Sequence, residues 1–170
     1  MMRDERRDEI LTELGLMEQT VERIDSLLRE ISSVEPSGHT MAGLGVYLAN
    51  VYNGMENILK RILKARGVPM PDGPDWHVTL LGMFGPKTAE GLPQLFDEEM
   101  MAKLDTYRAF RHLLFHGYAI ILRWDRLRPN AEQIADVFAA FRATVEEFLR
   151  TLQVPDAENQ SAPGERDTTR

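Results

Sequence analysis

LGVYLANVYNGMENILKRILKARG, residues 44–67, decides the fold. Its apolar residues Leu44, Leu48, Val51, Met55, Ile58 and Ile62 step alternately by four and three, the spacing that lines one side of an α-helix and that strand alternation cannot produce. Gly67 follows the last turn, where a residue free to take positive φ closes a helix. The spacing therefore predicts a helix over 39–66. Beside the stripe, Ala42, Gly45, Ala49 and Asn53 form a row of small residues. Glycine inside a helix costs about 1 kcal/mol relative to alanine. Gly43, Gly45 and Gly54 thus mark either close approach by a neighbour or plain tolerance.

Working outward, the same rhythm recurs. Ile10, Leu14, Met17, Val21, Ile24, Leu28 and Ile31 predict a first helix that ends before Glu35-Pro36-Ser37-Gly38. Residues 67–93 hold five of the nine prolines and five of the twelve glycines, so they read as a long connection with one short helix begun by Asp75 and carrying Trp76, Val78, Leu80 and Leu81. A third long helix starts near Asp97, with Met100, Leu104, Tyr107, Leu114 and Tyr118 on one line. A fourth is announced by Pro129-Asn130, with Asn130 as N-cap, Gln133 completing a capping box, and Ile134, Phe138, Phe141, Val145, Phe148 and Leu152 as its stripe. The expectation is an all-α bundle of four long helices plus a short helix in the 67–96 connection, forming one domain over 1–153. Residues 154–170 have no apolar periodicity and read as a disordered tail.

Composition narrows the chemistry. With 170 residues, 43% apolar, one core is affordable. There is no cysteine, which excludes disulfides and thiolate chemistry. The charged N-terminus is no signal peptide, and the apolar run YAIIL at 118–122 is far short of the roughly 20 residues of a membrane span. A soluble, cytoplasmic protein is expected. The net charge of −7 argues against broad nucleic-acid binding. Locally the sign reverses: between 103 and 128 lie six basic residues (Lys103, Arg108, Arg111, Arg123, Arg126, Arg128) against Asp105 and Asp125.

The third long helix breaks its own pattern at Arg111, which stands in line with Leu104, Tyr107 and Leu114. A cation there must snorkel, pair with an acid such as Glu56, or open onto a wet cleft. His116, five residues on, lies about 140° around and about 7.5 Å along an unbroken helix. The two side chains meet only if Gly117 turns the chain back or a second copy supplies its own His116. Arginine beside imidazole can cleave RNA without metal. The imidazole, with a reference pKa of about 6.5, takes a proton from a ribose 2′-hydroxyl or gives one to the departing 5′-oxygen, while the guanidinium stabilises the added phosphate charge.

The string Arg111-x4-His116-x-Tyr118 resembles the R-x4-H-x-Y motif of HepT-type toxins in the HEPN superfamily, and VYNGMENILKRI (51–62) and WDRLRPNAEQIADVFAAFRATVEEFLRTL (124–152) strengthen the likeness, which extends over residues 5–152. The resemblance implies an antiparallel HEPN-type bundle that forms a homodimer and acts as a metal-independent, cofactor-free endoribonuclease toxin. Arg111 and His116 would be the catalytic pair and His112 a supporting residue. Arg108, Arg123 and Arg126 would contact RNA. A nucleotidyltransferase-type antitoxin would be the partner and Tyr118 its site of AMP attachment. The alternative is a HEPN module that binds such a partner without cleaving RNA, in keeping with the acidic composition.

Other classes find little footing. A di-metal carboxylate bundle needs Glu-x-x-His pairs, and the chain has none. His39 and His77 sit in or near loops and read as surface or capping residues. Gly43-Leu44-Gly45 has Leu48 where a dinucleotide fingerprint needs a third small residue.

Overall fold

A computed structural model describes residues 4–31, 35–116 and 122–152. Five helices follow one another: α1 Asp4–Glu30, α2 Gly38–Arg66, α3 Trp76–Gly82, α4 Glu98–His116 and α5 Trp124–Thr151. Among the described residues there is no strand. The expected tail, together with Gly117 and Tyr118, lies outside them.

Helix α2 is the axis of the fold and touches each of the other four. Ser37 caps its start, accepting from the Thr40 N–H at 3.2 Å. Gly67, at φ 68°, ends it as the sequence suggests. The Val68 N–H bonds to the Leu63 carbonyl at 3.1 Å and the Gly67 N–H to Lys64 at 3.4 Å, a Schellman closure that also turns Val68 back onto the core. The stripe residues Leu44, Leu48, Val51, Met55, Ile58 and Ile62 are all buried.

Helix α1 lies antiparallel along α2. Ile10, Leu14, Met17, Val21 and Ile24 are buried, and the rim is clasped by Arg61 to Glu9 at 3.3 Å and to Glu13 at 3.0 Å. Gly54 is required by this contact: a Cβ there would stand 2.6 Å from the Met17 Cγ. Of the three helical glycines, only this one records a close approach. Gly45 has ordinary contacts, and a Cβ at Gly43 would meet open space.

Helix α4 packs antiparallel on another side of α2. Asp97 caps it, accepting from the Met100 N–H at 2.8 Å. Helix α5 closes the bundle against α1, α2 and α4, burying Leu127, Ala131, Ile134, Val137, Phe138, Phe141 and Val145. It begins at Trp124, not at Asn130, and carries Pro129 inside it. An interior proline costs about 3 kcal/mol. Burying Leu127 and half-burying Trp124 against the core offsets this, at about 2 kcal/mol for a fully buried leucine. Asn130 does not cap: its carbonyl accepts the Tyr107 hydroxyl at 2.8 Å, and its side-chain amide donates to the Arg126 carbonyl at 3.4 Å. Asp125 supplies negative charge to the first turn instead.

Helix α3 bridges α2 and α4. Asp75 precedes it as expected, although its side chain makes no capping bond. Leu80, Leu81 and Phe84 are buried, and this docking brings His77 to the junction of the three helices. No described helix is long and apolar enough to cross a membrane.

Candidate functional site at the α2–α3–α4 junction

Arg111 is neither snorkelling nor paired directly with a carboxylate. Its Nε donates to Asn53 Oδ1 at 2.8 Å, and its Nη1 lies 3.0 Å from His77 Nε2. Asn53 belongs to the row of small residues on α2, one turn before the buried Glu56. His77 Nδ1 is 2.6 Å from Glu56 Oε1. Nη1 also lies 3.5 Å from Nδ1, so the guanidinium rests against the face of the imidazole; Glu56 only accepts, and Nδ1 carries the proton that it receives. Glu56, 2% exposed, is therefore joined to Arg111 through a neutral imidazole.

Burial holds the His77 pKa below the ordinary histidine value, helped by the charges of Arg111 and Lys60 and opposed by Glu56. Trp76 stacks on the imidazole with ring centres 3.5 Å apart, and Lys60 Nζ sits 4.8 Å from the centre of the indole. Tyr52, one turn before Glu56, has a buried hydroxyl without a partner among the described residues. Burial and the nearby Glu56 charge push its pKa well above the usual phenol value.

Outside this polar wedge lies a cavity of about 130 Å³ lined by Pro74, Asp75, His77, Val78, Arg108, Arg111 and His112. It is well below the roughly 300 Å³ at which pockets for drug-sized ligands begin, yet at roughly 30 Å³ per water it has room for an anionic group with its solvent. Arg108 enters it while held by Asp105 at 2.6 Å. Arg111 gives one of its five N–H donors to Asn53 and rests Nη1 on the face of His77, and the others have no hydrogen-bond partner among the described residues.

The sequence-derived residues divide into four groups. Arg111, Arg108 and His112 share the cavity. His116 does not: α4 continues unbroken through it, so it points away from Arg111, its Nδ1 donates to the His112 carbonyl at 3.1 Å, and its ring stacks on His112 with centres 4.5 Å apart. That hydrogen bond leaves Nε2 of this exposed imidazole without a partner among the described residues. Arg123 and Arg126 lie at the start of α5, away from the cavity lining; Arg123 is tied to Asp125 at 2.6 Å and Arg126 is exposed. Tyr118 lies outside the described residues.

His77 corrects the sequence reading. It is neither a surface nor a capping residue: its side chain is 17% exposed and bonded to Glu56. The signal available was Glu56 itself, a carboxylate in line with the buried Tyr52, Leu59 and Leu63 on α2, which had to find a donor. The basic stretch is also less free than its count suggests. Lys103, Arg108, Arg123 and Arg128 each meet a carboxylate, on Glu99, Asp105, Asp125 and Glu132. Among the described residues, no group of histidine, aspartate or glutamate is arranged to hold a metal ion.

A family model described as HepT-like protein matches residues 43–152. It covers nearly all of α2 and the whole of α3, α4 and α5, including the connection that carries His77. No curated protein and no solved structure matches the chain.

Proposed function

The chain belongs to the HepT-like family of the HEPN superfamily, and from that premise we propose that it is a metal-independent endoribonuclease toxin whose active form is a homodimer. The observation that carries this reading is Arg111: a guanidinium fixed on two sides by neutral partners, with donors to spare, at a cavity of phosphate size. One chain does not bring His116 to that cavity, so the reading requires a second copy to supply it across a two-fold axis.

In the proposed step, His116 Nε2 removes the proton of a ribose 2′-hydroxyl. The 2′-oxygen attacks phosphorus, the bond to the 5′-oxygen breaks, and that oxygen leaves with the proton returned by the His116 imidazolium. The products are a 2′,3′-cyclic phosphate and a 5′-hydroxyl. Arg111 stabilises the transition-state charge. Arg108 and His112 support it from the cavity wall, while Arg123 and Arg126 engage the flanking backbone. A nucleotidyltransferase antitoxin is the proposed partner. AMP placed on Tyr118 would add anionic phosphate and oppose the incoming RNA.

The pairing of four of the six basic residues with carboxylates favours a second reading, a HEPN module that binds a partner without cleaving. Incubating the purified chain with RNA in chelator separates the two. Cyclic-phosphate ends that disappear in Arg111→Ala and in His116→Ala, with helicity and dimerisation retained, support the nuclease. Undiminished cleavage by either variant removes that residue from the mechanism, and no cleavage by the wild type leaves the binding module.

A further inference from the structure

Three elements converge on Arg111, and the residues that hold it are separated along the chain by the whole 67–96 connection. Glu56 on α2 is buried and has one hydrogen-bond partner among the described residues, His77 Nδ1 at 2.6 Å. His77 on α3 has Nδ1 bonded to Glu56, and Arg111 Nη1 lies against the face of its ring, 3.0 Å from Nε2 and 3.5 Å from Nδ1. Asn53 fixes the guanidinium from its other edge at 2.8 Å. A carboxylate is costly to bury unless it orders a donor that matters.

We propose that Glu56 and His77 are positioning residues for Arg111: the carboxylate fixes the Nδ1–H tautomer and the orientation of His77, and the face of that imidazole then supports the guanidinium with its donors available to a phosphate oxygen in the cavity. This rests on the ribonuclease reading for its catalytic consequence, but its geometry can be tested without it. The arrangement sets a neutral ring against a cation. A second proton on the imidazole would place a positive charge against the guanidinium and release Arg111. The groups facing the imidazole are Tyr52, Glu56 and Lys60 from α2, Arg108, Arg111 and His112 from α4, with Asp105 bound to Arg108, and Asp75 at the start of α3. Glu56 is the one of these bonded to the ring as an acceptor, and burial together with the cations keeps the ring neutral.

Two measurements on the full chain decide the matter. The first is ¹⁵N spectroscopy of the imidazole and guanidinium nitrogens from pH 5 to 8. The expected result is His77 as the Nδ1–H tautomer at neutral pH, with the Arg111 Nε resonance shifting as His77 protonates and losing that dependence in His77→Gln. An Nε2–H tautomer, or an Arg111 resonance indifferent to both changes, overturns the proposal whether or not RNA is cleaved. The second is RNA cleavage against pH. His77→Ala is expected to lower kcat by about 100-fold, the scale for a misplaced transition-state donor. His77→Gln, whose planar amide can still bond Glu56 and lie against the guanidinium, is expected to recover most of that. Glu56→Gln keeps an acceptor for Nδ1–H and should lose less than Glu56→Ala. Wild-type profiles in folded His77→Ala and Glu56→Ala overturn the positioning role while leaving the ribonuclease intact. A wild type that does not cleave defeats the ribonuclease reading, and the relay is then decided by the spectra.

Discussion

The two sides of α2 solve opposite problems. Toward α1 the contact is apolar and closed, with Gly54 omitted of any side chain so that Met17 can lie against the backbone, and the charges Glu9, Glu13 and Arg61 kept to the rim. Toward α3 and α4 the same helix buries Glu56, leaves the Tyr52 hydroxyl without a partner among the described residues, and meets Arg111. The first side is built as a core is built. The second gives up packing stability to keep a guanidinium, an imidazole and a carboxylate in fixed relation, as functional sites commonly do.

Substitutions should separate these sides. The largest effect is expected at the closed side: Gly54→Val would drive methyl groups into Met17 and cost about 3 kcal/mol, at the upper end for overpacking, read from urea unfolding. If α1 can move away without loss, the shift will be small and the seam is looser than described. Next comes the polar side. Glu56→Leu alone should cost about 2 kcal/mol by stranding the His77 Nδ1–H, whereas Glu56→Leu with His77→Leu should recover most of it, since apolar pairs commonly replace buried polar ones at no loss. A double variant as unstable as the single one would mean that the wedge contributes to stability after all.

A smaller effect should follow pH. The folded His77 pKa lies below the unfolded one, so the unfolded chain binds more protons in that interval. The stabilising contribution is complete above the unfolded value of about 6.5 and is lost as pH falls through the folded value. The stability difference between wild type and His77→Gln should therefore shrink or reverse on acidification below that point. A difference constant from pH 8 to 5 would contradict the lowered pKa. Smallest of all, Lys103→Ala removes an exposed i,i+4 pair with Glu99 and should leave the unfolding midpoint where it was.

The bundle was legible because its helices carry their burial in their spacing: the stripe of α2 and that of α1 from Ile10 to Ile24 are buried, while Leu28 and Ile31 at the end of the first stripe are half-buried. The start of α5 was not, because Pro129-Asn130 looks like a helix beginning in one dimension, and only the packing of Leu127 and Trp124 extends the helix past it. At the site, Arg111 announced itself by interrupting a stripe. His77 did not, since nothing along the chain ties position 77 to position 56; the relation is made by α3 docking between α2 and α4. His116 shows the converse limit. Its motif spacing is plain in the sequence, but an unbroken α4 carries the side chain away from Arg111.

The face-to-face contact of Trp76 with His77, at 3.5 Å, gives the molecule its own optical gauge. An imidazolium accepts an electron from an excited indole far better than a neutral ring does, so emission from Trp76 should dim as the proton arrives. Only Trp124 shares the spectrum, and with that residue changed to phenylalanine the occupancy of one buried nitrogen could be followed by light alone.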